Sequence, residues 1–327
     1  MTATLRVVAA GPATTLQDTG RKGAQQWGVA PCGAADRGFF GLANALVGNG
    51  SNGAALEFTA CGPVLQAGVQ AVLCAVVGDT TVHIDGRAVA AWRAHWLEPG
   101  QTLAVGALRT GWRGYVAVGG GIAAAPILGS RAQHCATGVG PLAGGPLREG
   151  DELPCNLAVQ RAELAVDPQT LPRRDGPIAL LWTPDSELLA SEQRQQLVTG
   201  PWHVDLASDR MAVGLLGPQL DVAATLGRLS QPTVAGGIQI AGDGHPRILL
   251  ADRQTVGGYV VPAAVASVDH DRLAQLRPGH EVPFAAINLE VAFIQLAEYT
   301  QQWTAICANL RQAWPPSART LLGHSLD

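Results

Sequence analysis

The sequence predicts a mainly β protein, organised as two β-rich lobes with a few helices and a C-terminal helix. Three observations point there. Glycine is abundant, with 40 among 327 residues, and glycine at that density serves tight turns, bulges and close backbone approach. Apolar stretches are short and bounded by Gly or Pro, as in "AVLCAVVGD" (71–79), "GYVAVGGGI" (114–122) and "PRILLAD" (246–252), and these read as buried strands. A pattern of Leu, two residues, Gly, two residues and an aliphatic residue recurs in "LEPGQTL" (97–103), "LREGDEL" (147–153) and "LRPGHEV" (276–282). It reads as a turn leading into a strand. "GPVL" (62–65) and "GPQL" (217–220) echo each other in the same way. The echoes suggest two related lobes, 1–165 and 166–327. The boundary falls in the segment 157–177, which carries Pro168, Pro172, Arg173 and Arg174.

Three helices are expected. "DRGFFGLANALVGN" (36–49) offers Asp36 as N-cap, an apolar face and Gly48 as a stop. "DSELLASEQRQQLVTG" (185–200) starts after Pro184. In 288–312, Leu289, Phe293, Leu296, Trp303, Ile306 and Leu310 form one apolar stripe, the mark of a helix docked on its own protein.

Composition removes several functions. Net charge is −4, pI about 6.1, and no basic run occurs, so nucleic acid is excluded as a partner. The sole lysine, Lys22, lies in neither a phosphate-binding loop nor an S-x-x-K motif, and it lacks the Met-Lys-Met surroundings of a biotin attachment site. No G-x-S-x-G elbow is present. The histidines (His83, His95, His134, His203, His245, His270, His280 and His324) form no H-x-H or H-E-x-x-H set, so no metal site is expected. Cys32, Cys61, Cys74, Cys135, Cys155 and Cys307 are scattered, without a C-x-x-C pair, and read as reduced, mostly buried thiols. Residues Met1 to Arg6 lack the pattern of a signal peptide, and no apolar run reaches about 18 residues. A cytoplasmic protein without a membrane span is the expectation.

Three polar clusters interrupt the apolar background. The first is "TTLQDTGRKG" (14–23), with Gln17, Asp18 and Arg21 between glycines. The second is "SDRM" (208–211), with Asp209 and Arg210. The third joins "GGIQIAGDG" (236–244) to "LLADRQTVGGYVVP" (249–262). In that last stretch an apolar run stops at Asp252, Arg253 and Gln254, followed by Thr255, Gly257, Gly258 and Tyr259.

Together these clusters resemble a known family. "TTLQDTGRKGAQQWGVAPCGAADRGFFGLANALVGN", "LEFTACGPVL", "GGGIAAAPILGSR", "SDRM", "GGIQIAGDGHP" and "ADRQTVGGY" follow one another as in the biotin-dependent carboxyltransferase-related family, also called allophanate hydrolase subunit 2. That family contains the C subunit of 5-oxoprolinase, a KipA-like kinase-inhibitor antagonist and part of urea carboxylase. The resemblance runs from about residue 5 to 285. It implies a cyclophilin-like β-barrel architecture and a sister subunit of related fold, like allophanate hydrolase subunit 1 or the B subunit of 5-oxoprolinase. It also implies a third, barrel-type subunit. The implied reaction is ATP-driven opening of 5-oxoproline to glutamate, with the nucleotide site shared with the partner and biotin not attached to this chain. The alternatives are carboxyl transfer from carboxybiotin to urea or another amide, and a non-catalytic regulator. The chain departs from the family at Gly214, where many members have Arg, and at Val260, where Pro is usual.

The residues themselves support a ligand-binding site at the end of a buried strand, and the resemblance implies that the ligand is an amide. Asp252, Arg253, Gln254 and Tyr259 are the expected catalytic group. Arg253 would hold an anion through its planar fork, with Asp252 orienting it. Gly257 and Gly258 would let the backbone approach a ligand closely or adopt positive φ. Gln17, Asp18, Arg21, Asn44, Asp209, Arg210, Gln239 and Thr255 are the expected substrate contacts. Each has a structural alternative. Gln17, Asp18 and Arg21 would pin a tight turn around Gly20 and Gly23. Asp209 and Arg210 would form an ion pair between lobes. Asn44 would bond a loop carbonyl, and His245 would serve a turn.

Overall fold

The computed structural model describes residues 3–158, 163–173, 175–225 and 227–313. Arg174, His324 and residues 159–162 of the expected boundary segment lie outside the described residues. Strand outweighs helix, 32% against 22%, and a curled half-barrel sheet is present, so the mainly β expectation holds. The chain divides into two compact units. The first comprises the described residues of 1–21, 32–172 and 302–313; the second comprises those of 22–31 and 173–301.

In the first unit the strands are β1 (Ala3–Ala9), β2 (Thr14–Gln17), β3 (Ala55–Thr59), β4 (Val64–Ala67), β5 (Val72–Val77), β6 (Thr80–Ile84), β7 (Arg87–Val89), β8 (Arg93–Leu97), β9 (Thr102–Leu108), β10 (Arg113–Val118) and β11 (Glu152–Cys155). One sheet runs β11-β1-β4-β9-β6-β7 and another β2-β3-β10-β5-β8. Every residue of β5 and β10 is buried, as expected of strands covered on both faces. Leu5, Leu16, Leu56, Phe58, Leu65, Val76 and Val116 belong to one core cluster. The recurrent Leu-Gly pattern works as read at Gly100 (φ 82°) and Gly150 (φ 88°), which turn into β9 and β11. Cys61 is half-buried and Cys135 exposed; the other four thiols are buried.

Helix α1 (Arg37–Leu46) begins as its cap residue dictates, with Asp36 Oδ1 accepting the Phe39 N–H at 2.8 Å. Gly48, at φ 75°, follows its end. Beneath its start lies a buried polar network. Glu57 on β3 pairs in register with Tyr115 on β10. Glu57 accepts the Tyr115 hydroxyl at 2.7 Å and the Ala35 N–H at 2.8 Å. Tyr115 in turn accepts the Asp36 N–H at 2.9 Å, and Arg113 donates to Glu57 at 3.4 Å and to Thr59 at 3.2 Å. Glu57, Tyr115, Arg113 and Asp36 are buried, where unpaired members would be costly.

In the second unit, β12 (Ile178–Trp182), β13 (His203–Val204), β14 (Ala212–Leu216), β15 (Gln231–Pro232), β16 (Gly237–Ile240), β17 (Pro246–Leu249), β18 (Val256–Gly257), β19 (Val260–Val265) and β20 (Phe284–Ala286) are present. Seven of them make one sheet, β13-β14-β17-β16-β19-β12-β20, and β15 pairs with β18. Only β12 and β20 run parallel among these pairs. Trp202, fully buried, anchors the core with Leu180, Leu215, Ile238 and Ile248. The third Leu-Gly turn, at Gly279 (φ 81°), leads only to a single bridge at Glu281. Pro283 follows there and has no N–H to continue a ladder.

The helix expected over 185–200 is instead a 3₁₀ turn, Pro184–Leu188, and a separate α2 (Ser191–Thr199). Leu189 and Ala190 between them are extended, because Leu189 is drawn into the core. A short α3 (His270–Ala274) precedes α4 (Leu289–Gln312), which matches the expected terminal helix. In the second unit α4 docks through Ala292, Leu296 and Tyr299 onto Ala179, Ala266 and Val268. The stripe is thus rotated from the one expected: Leu289 and Phe293 lie on the open side, at 57% and 63% exposure. Among the described residues no helix is long and apolar enough to cross a membrane.

Three buried acids in the first unit give an alkaline limit to stability. Burial pushes the Tyr115 phenol well above its usual range, with the charges of Glu57 and Asp36 adding to it. Burial likewise raises the Cys74 thiol and pushes Cys155 up to about 12. In the unfolded chain thiols ionise near about 8.5 and phenols near about 10. The native state holds these protons longer, so its stability is full below about pH 8.5 and falls as pH rises further. Urea denaturation should show the unfolding free energy falling above about pH 8.5, by up to about 1.4 kcal/mol per pH unit for each ionising group. A profile that stays flat to about pH 10.5 contradicts this assignment.

Candidate functional site

The chain leaves β17 at Leu249 and makes a tight excursion before β18. Backbone bonds tie it to the "SDRM" turn: Leu250 N–H donates to Met211 at 2.8 Å and Asp252 N–H to Arg210 at 3.0 Å. These bonds bring two of the sequence clusters together. Arg210 then grips Asp252 through Nε at 2.9 Å and Nη2 at 2.8 Å, a two-pronged contact in a nearly buried setting. Asp209, exposed, accepts the Met211 and Ala212 N–H groups at 2.7 and 3.1 Å, closing its own turn. The Asp252 carboxylate, expected to orient Arg253, is engaged by Arg210, because the backbone pairing sets those two side chains opposite each other. Arg210 and Asp252 belong to the same unit. Arg253 is buried at 8% exposure and donates from Nη1 to the Leu250 carbonyl at 3.3 Å. It does not line the cavity described next.

Gln254 points the other way. Its Nε2 donates to Gln239 Oε1 on β16 at 2.8 Å. Gln239 is almost fully buried and lines a cavity of about 230 Å³. Tyr259, Gly257, Thr233, Asp185 and Thr183 line it too. With one lone pair of its oxygen engaged by Gln254, Gln239 still has its amide NH₂ to offer. Gly257 makes room for this pair: a Cβ there would sit 2.7 Å from Gln239 Nε2 and 3.5 Å from Gln254 Nε2. At Gly258 a Cβ would meet the Arg228 carbonyl at 3.0 Å. Neither glycine has positive φ, so of the two expected reasons for them, close approach is the one realised. Thr255 is buried, and its carbonyl accepts the Thr233 N–H at 3.0 Å. The Thr233 hydroxyl donates to the Gln254 carbonyl. Tyr259 is half exposed beside the cavity.

His245 serves a turn as expected. Its N–H donates to Asp243 at 3.1 Å, and Arg247 bonds the same carboxylate at 2.6 and 3.0 Å. The hydrogen bonds from Arg247 chiefly hold the Asp243 carboxyl down to about 2. Gly214 lies on β14 where a Cβ would stand 3.1 Å from that of Asp205, so the position leaves little space for a long side chain.

In the first unit the other expected contacts hold loops. Asp18 accepts the Gly20 N–H at 2.8 Å, the Ser130 hydroxyl at 2.7 Å and the Arg131 N–H at 2.6 Å. Arg21 donates to the carbonyls of Ile127 and Ala132. Gln17 donates to Thr15 at 3.0 Å and to the Gln133 carbonyl at 3.1 Å. Asn44 donates to the Gly53 carbonyl at 2.9 Å and accepts from Asn49 at 2.9 Å. Asp18 and Asn44 thus tie neighbouring loops, the structural alternative expected for each. Gln17 Oε1 and Arg21 Nη1 remain buried without a hydrogen-bond partner among the described residues. Asp185 and Arg228, joined at 2.9 Å, were not singled out from the sequence. Asp185 follows a proline at an apparent helix start, and nothing local marks it as a cavity residue.

Two substitutions test this geometry. Gly257→Ala should fold with a loss of about 1–2 kcal/mol, and its crystal structure should show the Gln239 amide displaced and the bond to Gln254 broken. An unmoved pair contradicts the role given to this glycine. Asp252→Ala should cost about 2–4 kcal/mol in urea denaturation, since it strips both acceptors from a nearly buried guanidinium. A cost below about 0.5 kcal/mol, typical of surface changes, contradicts it.

Residues 27–286 match the family described as carboxyltransferase domain, subdomain A and B. The chain is 32% identical over 281 residues to the C subunit of 5-oxoprolinase from Haemophilus influenzae, covering 85% of this chain and 89% of that protein. It is likewise 32% identical to the C subunit of 5-oxoprolinase from Escherichia coli, covering 88% and 93%. The crystal structure of the Kluyveromyces lactis urea amidolyase superposes with a TM-score of 0.84 at 28% identity, covering 94% of this chain but only 20% of that one. With the match spanning most of its length, the chain belongs to the carboxyltransferase domain A and B family.

Proposed function

We propose that this chain is the C subunit of an ATP-dependent 5-oxoprolinase, which opens the lactam of 5-oxoproline to glutamate together with sister subunits. What supports the reading above all is the extent of the match to two proteins named as 5-oxoprolinase C subunits, 89% and 93% of their lengths. Against the yeast urea amidolyase the chain spans only 17%. The cavity of the second unit suits the substrate class. Gln239 offers an amide N–H to a carbonyl oxygen, and Gln254 fixes which face of that amide is presented. Tyr259 stands at the cavity with 51% exposure, open to a ligand. Such groups act by positioning and charge stabilisation, which are worth most when held rigid before the substrate arrives.

Opening an unstrained lactam is helped by turning its carbonyl oxygen into a leaving group, which phosphorylation by ATP does. The sequence has no phosphate-binding loop, so the nucleotide is assigned to a site completed by the sister subunit of related fold, the B subunit of 5-oxoprolinase, with the barrel-type subunit taking part. The second reading is carboxyl transfer to urea or a related amide. It draws on the superposition with the urea amidolyase, and the same donor would serve an N–C=O acceptor. In that case the cavity amides would face carboxybiotin carried by another polypeptide.

Co-expression of the chain with its sister subunits should give ATP hydrolysis that depends on 5-oxoproline, and the chain alone should give none. Gln239→Leu should lower kcat/KM of the complex by roughly tenfold or more, the loss expected for a hydrogen bond made to the reacting group. Activity of the isolated chain contradicts the shared site. Carboxylation of urea from carboxybiotin, without 5-oxoproline turnover, selects the second reading.

A further inference from the structure

We infer that Asp185 is the residue by which this cavity recognises a free amide N–H, and that it selects lactams with an unsubstituted nitrogen. The inference rests on the amide reading above. Among the residues lining the cavity, Asp185 is the sole carboxylate; Tyr259 is the only other titratable group. Its carboxylate is held from behind. One oxygen accepts Arg228 Nη2 at 2.9 Å, and the other accepts the Val261 N–H at 3.1 Å on β19. Each oxygen thus has one partner and one remaining lone pair. Asp185 and Arg228 side chains are 23% and 22% exposed, so the pair is anchored yet still reachable.

Polarity then decides what fits. Thr183 and Thr233 donate their hydroxyl protons to the Val261 and Gln254 carbonyls, so toward a ligand they only accept. Gln239 receives Gln254 at its oxygen and keeps its NH₂ donors. The cavity therefore offers donors from Gln239 and, in Asp185, a charged acceptor stronger than any neutral oxygen, the complement of one C=O and one N–H. A neutral amide with a free N–H satisfies both; a tertiary amide leaves Asp185 facing a methyl group.

The test compares 5-oxoproline with its N-methyl derivative in the reconstituted complex, by calorimetric binding and by turnover. The wild-type complex should prefer the free N–H compound by roughly tenfold or more, because the methyl group covers the remaining lone pair of the carboxylate without bonding it. Asp185→Ala should weaken 5-oxoproline binding about tenfold or more and leave the N-methyl compound nearly unchanged, collapsing the preference. Equal losses for both nitrogen forms in Asp185→Ala, or an intact preference, overturn the inference. If Asp185→Ala proves unstable by thermal melting, Asp185→Val keeps the site filled without offering an acceptor, and the same collapse of the preference is expected there. Turnover and binding separate the two ideas. Binding preference without any lactam opening would sink the 5-oxoprolinase reading and leave Asp185 in place.

Discussion

A missing side chain governs the cavity of the second unit. At Gly257 a single methyl group would press against the Gln239 amide at 2.7 Å, so the whole arrangement of donors depends on hydrogen there. The Gln239–Gln254 bond fixes which end of each amide faces inward. Without it either amide could rotate, and a rotated amide exchanges donor for acceptor. The strand pairing β15 with β18 holds Gly257 opposite Gln231, and the Thr233 backbone and hydroxyl tie the same loop at Thr255 and Gln254. Specificity in this cavity thus rests on backbone geometry, which side-chain rearrangement cannot easily undo.

The ion pairs of the second unit play a supporting part. Arg210 and Asp252 lock the "SDRM" turn to the segment that carries Gln254. Arg228 and Asp185 do the same for the 3₁₀ turn at the cavity wall. Buried or half-buried pairs of this kind contribute little net stability. Their effect is to place neighbouring groups, and both pairs adjoin residues that define the cavity. In the first unit the Glu57–Tyr115–Arg113 network has the same character, fixing the start of α1 through Ala35 and Asp36.

Local chemistry was legible in the sequence where it acts over a few residues. Asp36 caps α1, Gly100 and Gly150 turn into strands, and Gln239 faces a cavity from an apolar strand. Features that depend on partners far along the chain were not. Asp252 stands next to Arg253 in sequence, but its two-pronged bond goes to Arg210, 42 positions earlier. The break at Leu189 follows from its burial in the core, which no helical pattern records. Asn44 carried two meanings, and only the positions of Gly53 and Asn49 decide between them. Asp185 had no distinguishing neighbours at all. The family resemblance, by contrast, was readable because its motifs keep their order whatever their contacts.

The most direct measurement is a crystal structure of the chain with its sister subunit in the presence of 5-oxoproline. The account predicts the lactam in the cavity beside Tyr259, its carbonyl oxygen within hydrogen-bond distance of Gln239 Nε2 and its nitrogen facing Asp185. A lactam bound to residues outside that cavity, with the Gln239–Gln254 pair untouched, would contradict it.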